Sequence, residues 1–335
     1  DIIRAIERTI TDAGFTMVMQ QIGTCDDEVK CGAVMEREKR LQGIVFLGGR
    51  FDYTPADLAM LNVPFVCCSY SNRYGTLIEG EYSSVSIADG DTAQQAVEEL
   101  YRHGHRRIAA LISRPNDQSI SQLRYEGYVQ ALESHGIPVD PELVISTGGF
   151  DVRDAYSAIK AALERGTDFT ALFAIADSMA IGAMRALMDT GRRIPEDCSV
   201  IAIDGLELSA YIEPPLTTLC QPMEEMGRRS AEILLDMVRH KGSHACELLP
   251  TTLPQGLREV SGSLLTSLTA VDLATLERTL EFLATSAEPV DITADALPGD
   301  WAGGHYTVSD ASRAAVQSFF NLSPAAAQSA SGSEP

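Results

Sequence analysis

Several things are scarce in this sequence, and each shortage removes a class of function. No apolar run reaches the roughly 20 residues that a membrane-spanning helix needs, and the opening residues do not resemble a signal peptide. The chain therefore reads as one that makes no membrane contact. The seven cysteines (Cys25, Cys31, Cys67, Cys68, Cys198, Cys220 and Cys246) form no CxxC pair and none of the spacings at which thiolates converge on zinc. Of the histidines, only His240 and His244 stand one helical turn apart, beside Gly242 and Ser243, which suits a frayed helix end better than a metal. Neither a metal nor a cofactor is expected. Unpaired cysteines in this number suit a reducing cytoplasm.

Catalytic signatures are missing too. There is no GxGxxG after a strand, no GxxxxGK[ST], no GxSxG elbow and no HExxH. Gly48-Gly49 and Gly148-Gly149 stand alone and read as turns. Nothing in the residues points to turnover, so the protein is expected not to be an enzyme. Basic residues are few: 26 Lys and Arg against 47 Asp and Glu give a formal charge of −21. Gripping a duplex requires clustered cations that neutralise phosphates, so this segment is not expected to touch DNA itself.

What is present is a long, regular alternation. With 45% hydrophobic and 22% charged residues, 335 residues suffice for a two-lobed core plus an extension. Ile2, Ile3, Ile6 and Ile10 lie on one helical face, with Gly14 where a C-cap belongs. Short apolar runs at 15–19, 43–48, 64–68, 108–112, 143–145, 171–175 and 199–203 read as strands. Helices are expected through Glu36, near 55–60, and over 92–103, 119–135, 152–165, 178–190 and 223–239. Continuous apolar strands that alternate with helices signify parallel sheets covered on both faces, the doubly wound α/β class. In such sheets ligands bind beyond the carboxyl ends of strands, which raises the interest of polar residues there.

Four stretches in order carry a family resemblance. They are Gly104-His105-Arg106-Arg107-Ile108, Arg124-Tyr125-Glu126-Gly127-Tyr128, Phe173-Ala174-Ile175-Ala176-Asp177-Ser178-Met179-Ala180-Ile181-Gly182, and a long run from Ile194 through Ser199-Val200-Ile201-Ala202-Ile203-Asp204-Gly205 to Pro214-Pro215-Leu216-Thr217-Thr218-Leu219-Cys220-Gln221-Pro222 and Gly227. Together they resemble the effector domain of LacI/GalR transcription regulators, over roughly residues 1–261. The resemblance implies a two-lobed type I periplasmic-binding-protein-like fold, each lobe a doubly wound parallel sheet, with crossovers near Asp89, Leu219 and Glu247. One lobe takes residues 1–89 plus 219–246, without the family's first strand; the other takes 90–218 plus 247–261. Residues 262–335 lie outside the resemblance and read as an acidic C-terminal extension, with helices expected over 264–285 and 311–320 and a disordered end.

The same resemblance implies a homodimer that binds a small sugar-like effector in the interlobe cleft. It acts on operator DNA through a helix-turn-helix headpiece that the chain, opening on Asp1 inside a helix, does not contain. Arg124 matches the family arginine that reaches into the cleft, and its guanidinium fork suits vicinal hydroxyls or a carboxylate; Arg124→Ala is expected to abolish effector binding and leave the fold intact. Asp204 matches an acceptor for effector hydroxyls, and Gln221 a polar crossover residue that contacts ligand or hinge. Asp177 fits either an effector contact or an N-cap, and Ala176 stands where the family often has Asn. Ser69 and Tyr70 replace an Asp-Arg pair of sugar-responsive members; Tyr70 either stacks on a ring or packs at the lobe edge. A solute-binding protein of a sugar transport system shares the fold and is the alternative. A nicotinamide-dependent enzyme lacks its glycine fingerprint here.

Overall fold

An apolar run can serve as a strand only where neighbours take up its backbone groups on at least one side. The structure, a computed structural model, gathers most of these runs into two parallel sheets. It describes residues 1–253 except 24–26, 79, 116 and 117, together with the backbone at 291–292 and 306–307.

The chain starts with α1 (Ile2–Asp12), which buries Ala5, Ile6 and Ile10. In α2 (Glu28–Lys39) the Asp27 carboxylate caps the first turn by accepting from the Lys30 N–H at 3.0 Å. Then come β1 (Ile44–Leu47), the short α3 (Pro55–Leu58) with a Thr54–Asp57 capping box, β2 (Phe65–Cys68) and β3 (Ser84–Ser86). The chain next enters the other lobe through α4 (Asp89–Arg102), β4 (Ile108–Ile112), α5 (Ile120–Ser134), β5 (Val144–Ser146) and α6 (Val152–Glu164). That lobe continues with β6 (Ala171–Ala174), α7 (Asp177–Asp189), β7 (Ser199–Asp204) and β8 (Thr217–Cys220). After β8 the chain returns, and α8 (Met223–His240) packs on α1 and β2 before β9 (Cys246–Leu248) joins the first sheet.

The first sheet runs β1-β2-β3-β9 and the second β5-β4-β6-β7-β8, every neighbouring pair parallel. Beyond β9 the chain swings back to the second lobe, where Thr252 and Cys220 form an antiparallel bridge. Leu111, Leu172 and Phe173 are wholly buried in the main hydrophobic core, which the second sheet and its helices dominate.

Two helix pairs on this sheet close at glycines. A Cβ on Gly127 of α5 would meet the Gly90 carbonyl oxygen at 2.1 Å, and one on Gly182 of α7 would meet that of Val152 at 2.1 Å. Side chains are excluded there by backbone that cannot yield.

Four readings of the strands change. Residues 15–19 are not a strand, although Phe15 and Met17 still pack with Ile6, Ile10 and Ala231. Among the described residues β1 is the edge of its sheet and pairs with β2 alone; the 15–19 segment lines the same cavity as that free edge without pairing to it. The edge strands β8 and β9 were not anticipated, and neither was the interior strand β3. Its sequence, Ser84-Val85-Ser86, carries no apolar run, yet β2 and β9 bury it completely.

Residues 255–335 form a separate unit, in which Asp291–Ile292 pairs antiparallel with Tyr306–Thr307. The helices expected over 264–285 and 311–320 and the disordered end lie outside the described residues.

Gly127→Ala should destabilise the protein by about 1–3 kcal/mol, the usual range for forcing an extra carbon into packed structure. The urea midpoint measures this, and an unchanged midpoint would show that α4 and α5 separate freely.

Candidate functional site

In a doubly wound sheet the loops diverge where the strand order reverses, and a crevice opens at the carboxyl ends of the strands. In the order β5-β4-β6-β7-β8 this point lies between β4 and β6, whose carboxyl ends lead into Ser113 and Ile175. A cleft of ≈ 1730 Å³ lies there. Residues 48–52 and Ser69, at the ends of β1 and β2, form one wall; Ser113, Arg114, Gln118, Ile120 and Phe150 line the other. The volume exceeds the roughly 300–1,000 Å³ of small-molecule sites because the cavity also runs along the free edge of β1, past Val45, Met17 and Leu234.

The walls differ in chemistry. Phe150 is 41% exposed and offers a ring face at the end of β5. Arg114 donates from Nε to the Gly148 carbonyl at 2.7 Å. Across the cleft, Ser69 holds a left-handed φ of 58° at the end of β2, with its N–H on the Val85 carbonyl at 2.9 Å. Arg50 is paired with Asp52 and Asp57 at 3.5 and 3.6 Å. The lobes also touch directly: the Tyr74 hydroxyl donates to Glu126 of α5 at 3.1 Å, and Ile120 and Leu123 of α5 pack against the aromatic cluster of the first lobe.

Arg124 lies one helical turn after Ile120 and is 2% exposed. Its Nε donates to Asp89 at 2.9 Å, and its Nη1 to Asp204 at 3.2 Å and to the Ile175 carbonyl. Nη2 is buried without a hydrogen-bond partner among the described residues. Burial pushes the carboxyls of Asp89 and Asp204 above the ordinary aspartate range, while the Arg124 charge pulls both down. Asp177 adds to the rise at Asp204 by like-charge repulsion.

Asp204 itself is bent into place. Its φ of 145° is rare for a residue with a side chain and costs about 1–3 kcal/mol. The Gln221 N–H on its carbonyl at 3.0 Å and the Gln221 side-chain amide on its carboxylate at 2.7 Å hold it there. The first N–H of α7, at Asp177, points at its other oxygen from 3.4 Å, where the helix dipole favours negative charge. Asp177 does not cap α7; the N-cap position belongs to Ala176, and no side chain caps it. Instead its fully buried carboxylate accepts from the Leu206 N–H at 2.8 Å, Ser209 at 2.7 Å and Thr218 at 2.5 Å, tying the loop after β7 to β8.

Of the residues singled out by sequence, Arg124, Asp204, Gln221 and Asp177 thus meet in one network beneath the second lobe's cleft wall. Ser69 stands on the opposite wall. Tyr70 does not face the cleft: it is 3% exposed, stacked on Tyr53 at 5.5 Å, edge-on to Phe51 and Tyr82, with its hydroxyl on Asn72 at 3.2 Å. Sequence reasoning missed Asp89, Phe150, Ser113 and Arg114 as site residues. The available signal was position, since each of the last three directly follows β4 or lies within a few residues of the end of β5. Among the described residues, no three His, Cys, Asp or Glu side chains are placed to hold a metal ion, and no helix is long and apolar enough to cross a membrane.

Comparison with known proteins adds a second line. Residues 97–256 match a family described as a periplasmic binding protein-like domain. The chain is 35% identical over 252 residues to the HTH-type transcriptional regulator MalR of Clostridium butyricum, covering 74% of each. The structure of the transcriptional regulator CelR–cellobiose complex superposes with a TM-score of 0.65 at 31% identity, over 75% of this chain and 76% of that one. A LacI family regulator from Enterococcus faecium with bound ribose gives a TM-score of 0.63 at 27% identity, over 76% and 91%.

Asp177→Ala strands three donors at once, the buried hydroxyls of Ser209 and Thr218 and the part-buried Leu206 N–H, and should lower stability by about 2 kcal/mol or more, since each unsatisfied buried group costs about 1–3 kcal/mol. Urea unfolding measures it; a loss under 1 kcal/mol would mean that water replaces the carboxylate.

Proposed function

Because the chain belongs to the LacI/GalR family of transcription regulators and carries their effector-binding domain, we propose that its interlobe cleft binds a sugar or sugar derivative and relays that occupancy to operator DNA. The observation that carries this reading is the cleft at the carboxyl edges of both sheets, with a phenyl face at Phe150 and a buried guanidinium–carboxylate network one helical turn behind the wall. Rings with hydroxyls are the ligands such a combination of apolar face and hydrogen-bonding groups suits. The cellobiose and ribose carried by the two solved relatives support the same class.

Relay follows from the topology. Connections after β3, β8 and β9 join the lobes, so a ligand that touches both walls favours one lobe angle over others and shifts the population toward it. With a charge of −21 on these residues, operator contact falls to another segment, a helix-turn-helix headpiece. The free edge of β1 beside an apolar groove supports a further strand in that sheet. Exposed Leu208 and Tyr211, at 58% and 78%, support a homodimer, since apolar side chains of this size are usually covered by a partner when they cluster.

The structure also changes which variant tests the site. Removing Arg124 leaves Asp89 and Asp204 buried without their cation, a change that costs about 3–5 kcal/mol in comparable pairs. Arg124→Ala is therefore expected to perturb folding as well as binding, contrary to the expectation from sequence. Phe150→Ala is the cleaner variant because its side chain is partly exposed.

Calorimetry against cellobiose, maltose and ribose should show binding of at least one. Phe150→Ala should weaken it about tenfold, the equivalent of about 1.4 kcal/mol of lost stacking and burial, with an unchanged urea midpoint. Unaltered affinity in the variant would remove the cleft from consideration. Light scattering at micromolar concentration should give a dimer mass, and a monomer mass would contradict the homodimer.

A further inference from the structure

The two lobes are joined by more than their crossovers. Along α5, Ile120, Leu123 and Glu126 recur at every third residue and so share one helical face. Ile120 and Leu123 pack against the aromatic cluster of the first lobe, and Glu126 accepts from the Tyr74 hydroxyl of that lobe at 3.1 Å. Gln122, one turn earlier on α5, donates to the same carboxylate oxygen at 3.3 Å and steadies it. The seam thus starts at Ile120, which lines the cleft, and ends about 9 Å further along the helix at Glu126, which does not.

On the first-lobe side Tyr74 is firmly anchored. Its N–H bonds to the Phe51 carbonyl and the Thr76 N–H to the Tyr53 carbonyl, both at 3.0 Å. Asn72 donates to the Leu77 carbonyl at 2.6 Å and accepts from the Tyr70 hydroxyl at 3.2 Å. Between these anchors Gly75 lies so close to the neighbouring segment that a Cβ would stand 2.6 Å from the Tyr53 carbonyl oxygen. That segment carries Arg50, Phe51 and Asp52, which line the cleft. Residues 72–77 therefore move with one wall, while α5 begins in the other.

Resting on the proposed effector site, we infer that residues 72–77 form a strap which, through Tyr74 and Glu126, fixes the separation of the cleft walls and with it effector affinity. Neither residue lines the cleft, so both are positioning residues. Apolar side chains such as Ile120 and Leu123 slide over a ring face at little cost. A hydrogen bond is directional and weakens steeply as it lengthens or bends, so the far end of the seam is where rotation of the lobes meets resistance. An effector that bridges both walls binds only chains whose walls stand at the right distance, and its apparent affinity falls with the fraction that do. Loss of the strap therefore weakens binding without removing any contact to the ligand.

The test begins without ligand. Spin labels on genetically encoded, non-cysteine side chains at Glu38 of the first lobe and Lys160 of the second, both exposed, report the lobe separation in the whole chain. Tyr74→Phe keeps the ring and loses only the hydroxyl; it should shift the distances to longer values or broaden them. Glu126→Ala should do the same, and the double variant no more than either alone, because the two residues share one interaction. Glu126→Gln retains an accepting oxygen and should match the unsubstituted protein. Calorimetry with whichever of cellobiose, maltose and ribose binds should show Tyr74→Phe weakening it about threefold to tenfold as the competent fraction falls. Phe150→Ala, which removes a ligand contact, should leave the distances unchanged. Unaltered distances in Tyr74→Phe overturn the strap; altered distances with unaltered affinity overturn its control of binding. If none of the three sugars binds, the proposed function fails, and the distances still decide whether the strap exists.

Discussion

A guanidinium cannot shed its proton inside a protein, so a buried arginine obliges its surroundings to supply negative charge and acceptors. Arg124 imposes that demand where four elements converge. Asp89 answers from the start of α4, the Ile175 carbonyl from the end of β6, and Asp204 from the end of β7. The unusual backbone at Asp204 follows from the same demand, because its carboxylate must turn back toward α5 while its carbonyl receives the Gln221 N–H. Gln221 begins the connection from β8 to α8, so the charge that α5 buries also fixes where the chain leaves the second lobe.

The first lobe solves its side of the cleft differently. Behind its wall lies an aromatic cluster of Phe51, Tyr53, Tyr70 and Tyr82, with the Tyr53 hydroxyl held by Glu28 of α2. Burial drives the Tyr53 and Tyr70 hydroxyls far above their ordinary range, so both remain neutral donors. A polar, ion-paired floor thus faces a neutral aromatic one. The Tyr74–Glu126 hydrogen bond and the packing of Ile120 and Leu123 are where the two meet.

Much of this was legible in the residues. Runs such as Phe65-Val66-Cys67-Cys68 and Ile108-Ala109-Ala110-Leu111-Ile112 became strands because neither face meets water, and the order of elements in the second lobe followed the alternation. Arg124, Asp204 and Gln221, singled out through motifs that place them at strand ends or on the helix beside them, meet in one network. What stayed hidden depended on neighbours far away in sequence. β3 is a strand only because β2 and β9 flank it, and residues 15–19, apolar and alternating, are not one although the edge of β1 is free. Tyr70 read either as a stacking ring for a ligand or as packing at the lobe edge, and the rings it meets are Tyr53 and Phe51 of its own lobe. Asp89 read only as a place where the chain changes lobes; its pairing with Arg124, 35 positions away, leaves no local trace.

The bare edge of β1 has a consequence for handling the molecule. In a parallel ladder alternate backbone groups point away from the neighbour, so β1 presents its outer row of N–H and C=O groups beside exposed Leu47, Val18 and Met19. Such a row is a template for any extended strand, a second molecule's included. What holds copies apart is the charge of −21, a long-range repulsion that acts before edges can register. Salt shortens the reach of that repulsion to about 3 Å at 1 M and leaves backbone pairing untouched. Colloidal stability therefore falls as ionic strength rises, and dilute, low-salt buffers are the conditions in which these residues stay dispersed.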